Sequence, residues 1–121
     1  MNISDAEFEV MRVIWASKEP LASKMIISEL TERTDWKPKT MQTLISRLVK
    51  KQALDFTQEG RTYTYFAKVS EEQCLAEVSE GFLEQFFGGS LMPMLSHFAG
   101  SKKISKEEAD LLRKLLDENQ S

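Results

Sequence analysis

The chain has 121 residues, 41% hydrophobic and 29% charged, with a formal net charge of −3. That supports one globular unit, or a small domain carrying an oligomerisation appendage, and is too polar for a bundle of membrane spans. With a single cysteine there is no intrachain disulfide framework, and the acidic start of the chain does not read as a signal peptide, so the expected compartment is the cytoplasm.

Ser4-Asp5-Ala6-Glu7 has the spacing of a capping box and should open a first helix, with Phe8, Met11, Ile14 and Trp15 as its inward stripe to about Ser17. Lys18-Glu19-Pro20 breaks it. A second helix is expected from about Ala22 to Arg33, with Ile26, Ile27 and Leu30 inward, followed by a short loop through Thr34, Asp35 and Trp36. In the third segment, Pro38 to Lys51, Met41, Leu44, Ile45 and Leu48 fall at i, i+3, i+4, i+7, and Pro38 suits a first helical turn. The opposite face is left polar and basic.

Leu54 to Gln58 and Arg61 to Ala67 are rich in Phe, Thr and Tyr and flank Glu59-Gly60, which reads as a hairpin. Three helices followed by a basic hairpin is the order of a winged helix-turn-helix, in which the third helix lays its polar face in the major groove. The charge agrees. Residues 36–68 hold seven bases and two acids (Asp55 and Glu59), whereas residues 1–35 carry 4 bases against 7 acids and residues 69–121 carry 5 against 10. Duplex DNA, with about one phosphate per 1.7 Å of axis, is the matching partner.

After the hairpin the composition changes. Ser70-Glu71-Glu72-Gln73 is a second capping box, opening a helix with Cys74, Leu75, Val78, Phe82, Phe86 and Phe87 before Gly88-Gly89. Ser90 to Phe98 is strongly apolar, and Ser105-Lys106-Glu107-Glu108 opens a last helix with Leu111, Leu112, Leu115 and Leu116. These segments are too apolar for water and too few to enclose a core alone, so a second copy of the chain should cover them. The fold class is mainly α: a winged-helix domain over residues 1–69 and a helical dimerisation domain over 70–121. The expected hinge is Val69-Ser70, with a second flexible point at Gly88-Gly89.

Ile3-Ser4-Asp5-Ala6-Glu7-Phe8-Glu9-Val10-Met11, Ile14-Trp15, Asp35-Trp36-Lys37-Pro38-Lys39-Thr40, Thr43-Leu44-Ile45-Ser46-Arg47-Leu48 and Lys50-Lys51 together resemble the BlaI/MecI/CopY family of bacterial repressors. The resemblance runs nearly the whole length and is most specific from Trp36 to Lys51. It implies a cytoplasmic homodimer on an inverted-repeat operator containing TACA/TGTA. Release would follow proteolysis triggered by a membrane β-lactam sensor, or copper in another branch. Three departures stand out. The copper branch ends in a cysteine cluster, and here Cys74 is alone in an apolar helix face, more in keeping with a small buried hydrophobe than a ligand. His97-Phe98 stands where the methicillin-type repressors are cut at an Asn-Phe pair. Gln52 stands where many members have Gly at the end of the third helix.

The expected DNA-binding residues are Lys39, Thr40, Gln42, Thr43, Ser46, Arg47, Lys50, Arg61 and Tyr63. Among them Gln42 and Thr43 should read base edges, since Gln can pair adenine in a bidentate manner and the Thr methyl can meet that of thymine. Lys39, Thr40, Ser46, Arg47 and Lys50 should hold phosphates, and Arg61 and Tyr63 should reach the adjacent minor groove or backbone. Trp36 should anchor the core or the turn. Leu91, Leu95, Phe98, Leu112 and Leu115 are expected between chains, and His97-Phe98 is the candidate cleavage bond for a protease of a β-lactam sensor system. No cofactor, metal set or catalytic constellation is expected, because no nucleophile–base pair or phosphate-cradling loop is visible. The alternatives are a copper-responsive repressor lacking the cysteine cluster and a winged-helix protein-interaction module without DNA binding.

Overall fold

The computed structural model describes residues 2–120, and six helices and three strands are found among them. In chain order they are α1 (Asp5–Ala16), β1 (Leu21–Ala22), α2 (Ser23–Arg33), α3 (Pro38–Lys50), β2 (Leu54–Glu59), β3 (Thr62–Ala67), α4 (Glu71–Phe87), α5 (Leu91–Gly100) and α6 (Lys106–Asn119). The chain divides into two compact units, the first ending at Glu77 and the second starting at Val78. The division falls inside α4, beyond the Val69-Ser70 hinge expected from sequence. Cys74, on the second turn of α4, is buried, and Val69 is tied by its carbonyl, which accepts a hydrogen bond from Trp15 Nε1 at 3.0 Å.

The first unit is a winged helix. Its core is a single cluster of Val10, Met11, Val13, Ile14, Ile26, Leu30, Met41, Leu44, Ile45, Leu48, Ala53, Leu54 and Tyr65. Met11, Ile26, Leu30, Met41, Ile45, Leu48 and Leu54 are fully buried, each contributing about 1.5–3 kcal/mol of transfer free energy. Trp15 packs against it from the margin, edge to face at 5.5 Å with a half-buried Phe8 that stands outside the cluster, so the inward stripe of α1 runs through Val10, Met11, Val13 and Ile14 rather than Phe8. Trp36 packs on the core from the loop before α3, as an anchor should.

The sheet has the order β1-β3-β2, all antiparallel. The hairpin register Glu59↔Thr62 leaves Gly60-Arg61 as the two-residue turn, one position later than the Glu59-Gly60 expected from sequence. The reason is backbone sign: Gly60 has φ 61° and takes the first central position, the only one of a type II′ turn that needs φ > 0. Strand β1 was not visible in the sequence; Leu21 pairs with Tyr65 and Ala22 with Thr64. Near the other end of β2, the Asp55 carboxylate accepts the backbone N–H of its neighbour Phe56 at 2.8 Å.

The exit from α3 is a Schellman motif. Gln52 N–H donates to Val49 O and Ala53 N–H to Leu48 O, both at 3.0 Å, with Ala53 and Leu48 buried as the accompanying apolar contact. Gln52 sits at φ 69°, a left-handed conformation that favours glycine, and its side chain accepts from Lys68 Nζ at 3.0 Å.

The second unit consists of the rest of α4 with α5 and α6. The three capping boxes close at Ser4/Glu7, Ser70/Gln73 and Ser105/Glu108, which sets the starts of α1, α4 and α6. The α4–α5 junction uses Gly88 and Gly89, both at positive φ. Helix α5 ends in a second Schellman motif, with Lys102 at φ 60° and Lys103 N–H donating to Phe98 O at 2.9 Å.

Candidate nucleic-acid interface

Helix α3 is the platform. Met41, Leu44, Ile45 and Leu48 are buried on one side, which forces Lys39, Gln42, Thr43, Ser46, Arg47 and Lys50 onto the other. Those six exposed side chains line one shallow concavity of about 360 Å³, and Thr40 lies exposed at its flank. A rigid helix, locked by four core anchors, thus presents a continuous polar and basic strip without an acidic member.

Two of these side chains are held by specific bonds. Gln42 Nε2 donates to Ser23 Oγ, on the first turn of α2, at 2.8 Å. Thr43 Oγ1 donates to the Lys39 carbonyl one turn earlier at 3.0 Å, which satisfies the hydroxyl within the helix and leaves the methyl as its free end. Neither bond could be anticipated by counting charges. On the wing, Arg61 sits in the turn and Tyr63 is 39% exposed, its ring edge to face with Phe56 at 5.2 Å.

One member of the basic stretch is withdrawn from this surface. Lys51 Nζ lies 2.6 Å from Glu7 Oε1 and the same distance from the Asn2 carbonyl oxygen, so its charge is spent within the first unit. Glu7 is almost completely buried, and Oε1 also accepts the Ser4 backbone N–H at 2.8 Å while Oε2 has no hydrogen-bond partner. Burial pushes the Glu7 carboxyl up, but Lys51 and Ser4 outweigh it and hold the group below its ordinary range.

In the second unit three of the five expected interface residues, Leu91, Leu95 and Leu112, line two apolar depressions, and Phe98 and Leu115 line neither. Leu95 and Leu112 line one of about 310 Å³ between α5 and α6, together with Met92, Ile104 and Leu116. Leu91 lines another, of about 300 Å³, with Val78, Phe82, Leu83 and Met94. Leu91 and Leu115 are nearly half exposed, and Phe98 is half-buried. The His97-Phe98 peptide bond lies in the last turn of α5, His97 exposed and its ring 5.5 Å from that of Phe98. Cys74 is buried, and burial together with the Glu77 carboxylate pushes its thiol up, away from the thiolate form that metals bind.

The sequence model for penicillinase repressors matches residues 3–118. The chain belongs to the penicillinase repressor family. Among relatives of this repressor, the penicillinase repressor of Bacillus licheniformis is 38% identical over 120 residues, covering 99% of this chain and 93% of the relative. The methicillin resistance regulatory protein MecI of Staphylococcus aureus strain N315 is 34% identical over 116 residues, covering 96% and 94%. In fold, the repressor resembles the solution structure of the DNA-binding domain of the repressor BlaI, with a TM-score of 0.54 and 44% identity over 58% of this chain and 84% of that one. It also resembles the B. licheniformis BlaI monomeric form solved in complex with the blaP half-operator (TM-score 0.53, 43% identity, 60% and 87% covered). Among the described residues, no helix is long and apolar enough to cross a membrane.

Proposed function

We propose that this protein is a DNA-binding transcriptional repressor that grips an inverted-repeat operator as a homodimer through α3 and the wing. The observation that carries this reading is the exposed face of α3: three cations and three short polar side chains on one side of a helix whose other side is anchored in the core. Lys39, Ser46, Arg47 and Lys50 hold phosphates with Thr40 at the flank, and Gln42 and Thr43 read base edges. The free methyl of Thr43 supports its pairing with a thymine methyl. Arg61 and Tyr63 reach the neighbouring backbone or minor groove from the wing.

In this reading the second unit joins two copies through Leu91, Leu95, Phe98, Leu112 and Leu115, whose exposed apolar surface favours a partner chain. The protein works in the cytoplasm. A cut at His97-Phe98 by a protease of a β-lactam sensor system severs that join and lowers affinity without touching α3.

The test separates positioning from reading. Arg47→Ala should weaken binding to operator and scrambled duplexes alike and flatten the salt dependence by about one unit of slope. Gln42→Ala should cost about 1–3 kcal/mol on operator and little on scrambled DNA. Equal losses from both substitutions on both duplexes would reject the assignment.

A further inference from the structure

The hydrogen bond between Gln42 and Ser23 joins residues 19 apart in sequence and on different helices. We infer that Ser23 is a specificity-positioning residue, whose hydroxyl sets the Gln42 amide in the orientation that reads adenine. This rests on the reading of Gln42 as a base reader and adds to it the group that orients it.

Gln42 is exposed and would otherwise sample its rotamers freely. Fixing a glutamine side chain costs an amount equivalent to roughly tenfold in affinity, and that loss falls on the complex unless the free protein already holds the side chain. Ser23 is a suitable anchor because its backbone is fixed on both sides. Ala22 before it is paired with Thr64 in the sheet, and α2 begins at Ser23 itself. The residue itself is half-buried.

The chemistry left over is that of adenine. One hydrogen of Nε2 is engaged at 2.8 Å. The second N–H and the carbonyl Oε1 remain, a donor and an acceptor side by side. Adenine offers N7 as acceptor and N6–H as donor along its major-groove edge, the complement of that pair. A guanine there would place O6 against Oε1, two acceptors in opposition. Ser23 therefore acts on discrimination at one base pair rather than on affinity in general.

The experiment uses the full-length protein and the half-site it selects from a pool of randomised duplexes. Anisotropy titrations follow the wild type, Gln42→Ala, Ser23→Ala, Ser23→Thr and the double variant on that site, with each base pair replaced in turn. Gln42→Ala should remove preference at one A·T pair by about 10- to 100-fold. Ser23→Ala should reduce the preference at that same pair by about three- to tenfold and leave the other pairs unchanged. Ser23→Thr, which keeps the hydroxyl, should behave as wild type, and the double variant should equal Gln42→Ala alone. A Ser23→Ala protein that binds every duplex equally more weakly would overturn the inference, since the hydroxyl would then be a backbone contact. So would one that keeps the full preference while Gln42→Ala has lost it. If Gln42→Ala itself leaves all preferences intact, the assignment of Gln42 as a reader fails first and takes this inference with it.

Discussion

Replacing Lys51 with methionine should shift the pH dependence contributed by Glu7 against the folded state at neutral pH. The carboxylate is 2% exposed and its closest partner is the Lys51 ammonium, 2.6 Å away. Removing one partner of a buried pair costs about 3–5 kcal/mol, because the remaining charge is left in a low-dielectric site. Lys51 is 35% exposed, so solvent already weakens the pair, and about 2–3 kcal/mol is the expected loss near pH 7. In the wild type the folded-state carboxyl titrates below its ordinary 4.5, so its stabilisation is fully present above that pH and is lost as pH falls through the lowered value. Without Lys51 its two lowering contributions go, desolvation stands against the Ser4 hydrogen bonds alone, and the folded-state value rises from its wild-type position. The folded chain then holds the proton more tightly than in the wild type, so the variant gains less stability, relative to wild type, as pH rises toward neutrality. Urea unfolding between pH 4 and 7.5, followed by tryptophan fluorescence, reads this directly, because Trp15 and Trp36 both lie in the first unit. Parallel pH profiles, with the variant within about 0.5 kcal/mol of wild type, would refute the argument.

Gln52→Gly should stabilise the first unit by about 0.5–1 kcal/mol, since glycine takes φ 69° without strain, and a raised urea midpoint at unchanged slope would register it. A chain ending at Glu77 should stay folded and lose about 10²–10⁴ in affinity for an inverted repeat, whereas one ending at Ser70 should also melt lower because it lacks buried Cys74; sedimentation and thermal scans distinguish the two. Mass spectrometry of the repressor from cells treated with a β-lactam should show a fragment ending at His97, and derepression with the chain intact would count against cleavage there. Such cutting requires the last turn of α5 to open, so it should be slow in purified protein.

The helices were legible in sequence because each carries its own signals within a few residues. The i, i+3, i+4, i+7 stripe and Pro38 define α3, and capping boxes start α1, α4 and α6. Contacts made across long sequence distances were not. Glu7 reads as half of a capping box, and only the fold brings Lys51, 44 residues away, against its carboxylate. Lys51 accordingly counts toward the basic stretch in sequence, whereas in the fold its ammonium is paired with Glu7. Ser23 carries no signal beyond a small polar residue near a helix start. Strand β1 is two residues long, too short for any alternation to show, and exists because β3 offers it an edge. The turn lies one residue later than its sequence suggests, because glycine marks a turn without specifying which central position it fills.

In the sheet order β1-β3-β2, the far side of β2 has no neighbour among the described residues. An open edge of this kind is a template for strand addition, through which two wings could zip together and bury the surface meant for nucleic acid. Asp55 closes part of that edge by taking up the Phe56 N–H, and Glu59 adds a second negative charge on the same strand. The two acids that interrupt an otherwise basic stretch thus have a task of their own. They discourage β-mediated aggregation at the cost of a little attraction for phosphate, and keep association between copies away from the wing.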